Sequence, residues 1–299
     1  MRADPSYVTS LSQALSRSAM TSNDLASQLS SGLRVGSLSD DPGGAAQSLQ
    51  LGSHIACVDT YIQTAANQSS MLQVTDSTLG EVVSQLTSAI SLAVQVANGT
   101  LNSSNLQAAT QQLAGIRDEV LALANTSYQG RFLFAGSQGS TKPFALDTTT
   151  TPATVTYSGD VASQSIETPG GQQIQVNLPG SSIFGSGSSG PLAALNQLIA
   201  DVASGAPAVN LSANSAALNS SLGQVSAQRS LLNTSLSTLR STSGYAQTQE
   251  TQLKAQQSAL VAADPAAVAT QLKSNQVQYQ ALLSVVTALQ KVNLFDYLH

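Results

Sequence analysis

The chain has 299 residues and a formal net charge of −5, and only 9% of its residues are charged, against about 25% in an ordinary soluble domain. Solubility therefore rests on hydroxyl and amide side chains, and such a surface suits close packing against copies or relatives of itself. The isolated lysines (Lys142, Lys254, Lys273, Lys291) leave no dense basic footprint for nucleic acid, and the single cysteine, Cys57, excludes an intrachain disulfide.

The first ten residues, MRADPSYVTS, lack the apolar core and small-residue cleavage site of a Sec signal. Export, if it occurs, is expected to use no cleavable signal. No window of 18 apolar residues is found, so no membrane partner is expected.

Apolar residues then recur with heptad spacing. Leu11, Leu15, Ser18, Ser22, Leu25, Leu29 and Gly32 form a first 4–3 run. A 3.5-residue repeat keeps one narrow stripe toward a partner helix, which predicts a coiled coil or long bundle. Polar residues at such a seam weaken packing but can fix register.

Residues 30–46, SSGLRVGSLSDDPGGAA, interrupt that pattern. Gly32 stands where a left-handed helix C-terminus belongs, and Asp41-Pro42 reads as a helix start, with Asp at the N-cap and Pro at the first helical position. Asp40 and Asp41 are adjacent, so they cannot share a face as an acid–base pair, and two carboxylates are too few oxygens for a hard cation. Capping and local hydrogen bonding are their expected roles.

Further along, Leu72, Thr75, Leu79, Val82, Leu86, Ala89, Ala93 and Val96 form a second run, and Leu106, Ala109, Leu113, Ile116, Val120 and Leu123 a third. Between Arg131 and Gly190 the helical pattern stops; FLF, TVTYS and QIQVNL read as short strands among Pro, Gly and Ser. Helical periodicity returns from Leu218 to Leu260, with Arg229 at a seam position. Asp264-Pro265 repeats the cap-and-start signature, and Val268, Leu272, Asn275, Tyr279, Leu282, Val286 and Leu289 close the chain.

The fold class expected is mainly α: long coiled-coil or bundle arms from both termini, with a small β-rich insertion. The expected division is a terminal coil from 1–40 and 264–299, a helical bundle from 41–130 and 191–263, and the insertion at 131–190. Neither terminal stripe can be buried alone, so the arms pair with each other or with another subunit. Leu11, Leu25, Leu29, Leu272, Tyr279, Leu282, Val286 and Leu289 are the expected assembly contacts. Asp40, Asp41, Pro42, Asp264 and Pro265 are the expected cap and loop residues.

Other motifs carry less. GSGSSG at Gly185–Gly190 matches G-x-G-x-x-G, but only Ile183-Phe184 precedes it as an apolar run and Pro191 removes an amide that a phosphate would need; a flexible return loop is expected. His54 and His299 are far apart and no metal-ligand spacing occurs, so neither metal nor cofactor is expected. Cys57 is expected to be a small packed residue.

Three segments together resemble one family. SSGLRVGSLSDDPGGAAQSLQL is similar to the stretch between the outer and inner N-terminal helices of flagellins and flagellin-like hook-associated proteins. ANTSYQGRFLFAGSQGSTKPF (Ala124 to Phe144) resembles the entry into the β-rich domain, and VVTALQKVNLFDYLH the C-terminal helix and tail. The DDP wording resembles the hook-associated members more than filament flagellin. Gly36 replaces the usual Asn, and Ser127-Tyr128-Gln129 replaces a more polar turn.

The resemblance implies a non-enzymatic, extracellular flagellar subunit at the hook–filament junction, on whose surface flagellin polymerises. It further implies a homo-oligomeric ring with hook-associated protein 1 on the hook side and flagellin on the filament side. A cytoplasmic chaperone would hold the C-terminal segment before type III export. Filament flagellin itself is the alternative within this class, and a secreted coiled-coil adhesin the alternative outside it.

Overall fold

A computed structural model describes the backbone of residues 5–98 and 102–295, and the side chains of 9–98 and 102–288. Seven helices and six short strands are defined: α1 Pro5–Ser31, α2 Pro42–Ala97, α3 Ser103–Ala124, β1 Ser127–Tyr128, β2 Arg131–Phe132, β3 Phe144–Asp147, β4 Thr154–Tyr157, β5 Ser165–Glu167, β6 Gln173–Gln175, α4 Gly180–Phe184, α5 Pro191–Ser204, α6 Ala208–Val261 and α7 Pro265–Phe295. The mainly helical architecture with long terminal helices and a small strand-bearing middle is the one the periodicity predicts. The chain forms two compact units, Met1–Cys57 with Gln249–His299, and Val58–Thr248.

In the first unit α1 packs along α7. Ser18 pairs with Asn275 and Leu33 bridges Ala262, so the two helices run antiparallel. Gly32 ends α1 at φ +69, a conformation only glycine adopts without strain, and its amide closes on the Gln28 carbonyl at 2.8 Å. The chain then crosses to the C-terminal arm. Ala263 N–H donates to the Gly32 carbonyl at 2.9 Å, and Arg34 N–H to the Val261 carbonyl at 2.7 Å.

The second unit holds the heptad core. Leu79, Val82, Leu86, Ala89 and Ala93 of α2 are fully buried, as are Leu113 and Val120 of α3 and Leu218, Val225 and Leu239 of α6. Tyr61 and Thr242 share a hydroxyl hydrogen bond at 2.6 Å, while Arg229 meets Asp76, so α2 and α6 run antiparallel here. By length and composition α2 also passes for a membrane-crossing helix. One third of that apolar window is buried, and the same helix supplies the buried seam residues named above.

The strands form three separate antiparallel hairpins, β1–β2, β3–β4 and β5–β6, rather than one sheet. Their stability comes from side chains beneath them, since an isolated two-stranded hairpin is marginal in water. Phe134, Phe144 and Phe184 are all fully buried; the Phe184 ring meets the Phe134 and Phe144 rings edge-on, at centroid distances of 5.1 and 5.4 Å. The FLF run therefore differs from expectation. Only Phe132 lies in a strand, and Leu133-Phe134 turn inward to supply an aromatic core.

Asn125 ties this core to α3. Its Oδ1 accepts from the Phe144 N–H at 2.9 Å and its Nδ2 donates to the Phe144 carbonyl at 3.0 Å, copying a strand pair with one side chain.

GSGSSG, expected as a flexible return loop, places its glycines in backbone conformations that other residues rarely adopt. Gly185, Gly187 and Gly190 all have positive φ, and an added Cβ at Gly185 would collide with the Ser189 carbonyl. The Gly187 amide donates to Val155 of β4. At Gly185 and Gly190 backbone passes backbone too closely for a side chain, whereas Gly187 has open space and is favoured there by its positive φ alone; composition alone cannot distinguish either from looseness.

Candidate assembly surface

The terminal coil is built from alternating burial on two helices. On α1, Leu11, Leu15 and Ser22 are partly covered and Ser18 and Leu25 buried. On α7, Val268 and Asn275 are buried, and Leu272, Tyr279, Leu282 and Val286 partly covered. These positions form one stripe on each helix. Leu29 departs from it at 43% exposure, because Gln28 takes the inward position as the spacing steps by three from Leu25. Leu289 lies outside the residues whose side chains are described.

The faces away from the seam are not covered with charge. Met20 is 64% exposed and Val277 60%, and Leu283 and Val285 are exposed too. These apolar side chains sit on helices that are only half covered within this chain, which is the condition for packing against a neighbour.

The loop between α1 and α2 is held by its two aspartates. Asp40 Oδ2 accepts the N–H groups of Gly36 at 3.0 Å and Ser37 at 2.8 Å. Those bonds, Ser37 first, hold its carboxyl below the usual aspartate range despite slight desolvation acting the other way. Asp41 Oδ1 accepts from Gly44 N–H at 3.0 Å, placing Asp41 at the N-terminus of α2 with Pro42 as the first helical residue. That bond lowers its pKa, helped by Arg34, whose guanidinium lies 3.5 Å away. The same guanidinium donates to the Leu260 carbonyl at 2.8 Å, so loop and C-terminal arm are joined through one side chain.

At the other break Asp264 Oδ1 accepts from Ala266 N–H at 2.9 Å, and Pro265 opens α7. Beneath the loop an open groove of about 570 Å³ is lined by Val35, Leu38, Leu49 and Val261, with Leu38 and Leu49 largely exposed.

The bundle carries one ionic cluster that the periodicity flagged only in part. Arg229, read as a polar seam residue, meets Asp76 Oδ1 with its Nε at 2.7 Å and Oδ2 with a terminal nitrogen at 3.2 Å; Asn233 Nδ2 adds a third donor at 3.0 Å. Gly80 leaves room for the guanidinium, since a Cβ there would stand 3.3 Å from it. Asp76 could not be paired with Arg229 from sequence, because they are 153 positions apart on helices whose register is set only by packing.

Among the described residues no group of His, Cys, Asp and Glu is placed to hold a metal ion. Cys57, expected to be packed, is exposed instead, because it falls outside the buried positions Val58, Tyr61 and Ile62 of α2.

Two antiparallel arms made from opposite ends of one chain, a helical bundle and an inserted set of hairpins define the class. Residues 7–139 match the bacterial flagellin N-terminal helical region and residues 216–298 the bacterial flagellin C-terminal helical region, together well over half of the chain. The chain belongs to the bacterial flagellin family, a family of structural flagellar proteins rather than of enzymes. Within that family it is similar to flagellar hook-associated protein 3 of Salmonella typhimurium, 27% identical over 91% of each chain.

Among solved structures, it resembles a flagellar hook-associated protein from Vibrio parahaemolyticus at a TM-score of 0.67 and 20% identity, covering 74% of this chain and 99% of that one. It also resembles a flagellar junction protein from Legionella pneumophila at a TM-score of 0.54 and 12% identity, covering 65% of this chain and 99% of that one. These two likenesses show the fold. The chain is thus a structural component of the bacterial flagellum, an extracellular organelle.

Proposed function

We propose that this protein is the junction subunit between the hook-associated ring and the filament, and that it presents the surface on which flagellin polymerises. The observation that carries this reading is the half-covered terminal coil: the seam is satisfied within the chain, while Met20, Leu29, Val277 and Val285 are left exposed. A subunit that closes its own seam and keeps a second apolar face can join neighbours above, below and beside it. The name of the Salmonella relative, and the junction role named for the Legionella protein, support the same reading.

On this reading the coil of 1–40 and 264–299 forms the inner tube, the bundle of 41–130 and 191–263 surrounds it, and the insertion at 131–190 faces outward. Copies of the chain form a ring, with hook-associated protein 1 on the hook side and flagellin on the filament side. The chain leaves the cell unfolded through the flagellar export channel without a cleavable signal, its C-terminal segment held beforehand by a cytoplasmic chaperone.

Deleting the gene tests the assignment. Electron microscopy of the cells should show hooks without filaments, and the culture medium should contain flagellin monomer. Normal filaments would remove the junction reading. Loss of the filament with no flagellin in the medium would make this chain the filament subunit itself.

A further inference from the structure

We infer that the groove beneath the α1–α2 loop of one copy receives the outward face of α7 from a second copy of this chain. The inference rests on the reading of the chain as an assembling subunit, and it names the contact. None of the side chains lining the groove is charged. Leu38 and Leu49, 71% and 77% exposed, line it, and Ala45, Ala46 and Gly52 of α2 are small enough for another helix to come close. Asp40 stands at its edge, bonded to the lining residues Gly36 and Ser37.

The matching surface is on α7. Lys273, Val277, Ala281 and Val285 follow one another at four-residue steps, all exposed, and make one ridge on the side away from the seam. No charged residue occurs between Lys273 and Lys291. The ridge is therefore apolar beyond one lysine at its start, as the groove is neutral beyond one aspartate at its edge. Among the described residues neither Asp40 nor Lys273 has an ion-pair partner, so the two charges are complementary and both available. A chain cannot fill its own groove. Its α7 packs along α1 rather than α2, and the middle of the ridge, at Ala281, lies roughly 24 Å along the helix from Pro265. Groove and ridge are different patches of one molecule, so their contact is heterologous. Each copy offers its groove to one neighbour and its ridge to another, which builds a ring or a helix rather than a closed dimer.

The test uses the purified full chain carrying Cys57→Ser. Chains with Leu38→Cys mixed with chains with Val277→Cys should join under a short thiol-specific cross-linker, while neither variant alone should; both positions are exposed, so the fold is kept. A second pair, Leu49→Cys with Ala281→Cys, should repeat the result. In the ridge-bearing chain Lys273→Glu sets like charge against Asp40 and should lower the yield roughly two- to fivefold. Val285→Asp there should abolish it, with helical circular dichroism retained. No mixed product from either pair overturns the inference, and so does equal cross-linking of each variant with itself, or a yield that neither Lys273→Glu nor Val285→Asp changes. Loss of the product when flagellin is added in equal amount gives the groove to flagellin and overturns the second copy as its occupant. Normal filaments after deletion of the gene would end the junction reading yet leave this cross-link as it stands, so the two failures are distinct.

Discussion

Replacing Arg229 by Met keeps the length of the side chain and removes its charge. Two charge-assisted hydrogen bonds to Asp76, at 2.7 and 3.2 Å, are lost, and Asn233 is left as the remaining donor at 3.0 Å. Bonds of this type are worth about 1.5–3 kcal/mol, but the Arg229 side chain is 37% exposed and water screens the pair, so a net cost of about 1–2 kcal/mol is expected.

In a unit of this size that is a fall in melting temperature of roughly 3–6 °C at neutral pH. The dependence on pH has a definite sign. Hydrogen bonds from Arg229, outweighing partial burial and helped by Asn233, hold the Asp76 carboxyl below its ordinary value. The stabilisation is therefore complete above the ordinary aspartate range, near 4, and is lost as pH falls through the lowered native value. Thermal unfolding followed by circular dichroism should show the gap between parent and variant closing toward about pH 2. A gap of the same size at both pH values, or none at pH 7, would refute the reasoning.

The other predictions are shorter. Leu282→Asp removes roughly 2 kcal/mol of apolar burial from the seam and puts a carboxylate there; in a deletion strain it should fail to restore filaments while the bundle keeps its helicity, and global unfolding by circular dichroism would sink that division. Gly185→Ala drives a Cβ into the Ser189 carbonyl and should cost more than about 2 kcal/mol in denaturant unfolding, whereas Gly187→Ala, with open space around its Cβ, should cost only about 1 kcal/mol. Asp40 and Asp41 have lowered native pKa values, so their hold on the loop is complete above the ordinary aspartate range and is lost as pH falls through the native values. Amide exchange at Gly36, Ser37 and Gly44, measured by NMR, should accelerate on acidification beyond the intrinsic trend; unchanged protection would contradict that.

Which features sequence could supply follows from what periodicity encodes. A one-sided stripe reports its own burial, so Leu79, Leu86, Val225 and Leu239 are identifiable without knowing what they touch. The cap signatures at Asp41-Pro42 and Asp264-Pro265 are equally local, since donor and acceptor lie within three residues. Features set by distant partners are different. The Arg229–Asp76 pair depends on the register of two helices, and the Phe134, Phe144 and Phe184 cluster gathers one ring from each of three segments with no shared period. Leu29 shows the limit within a local pattern: a heptad extrapolated one step too far places it inward, while the helix gives that position to Gln28. The glycines of GSGSSG show the opposite limit, where close approach and flexibility leave the same mark on composition.

The Asn125 clamp has a consequence for what the insertion can carry. Because one side chain holds both backbone groups of Phe144, the stem of the β3–β4 hairpin is fixed at its root, on the end of α3. The tip, Thr148 to Pro152, is exposed and contributes nothing to that attachment. The hairpin is therefore a natural display arm: a foreign peptide spliced at the tip would ride outward without loosening the joint on which it is mounted.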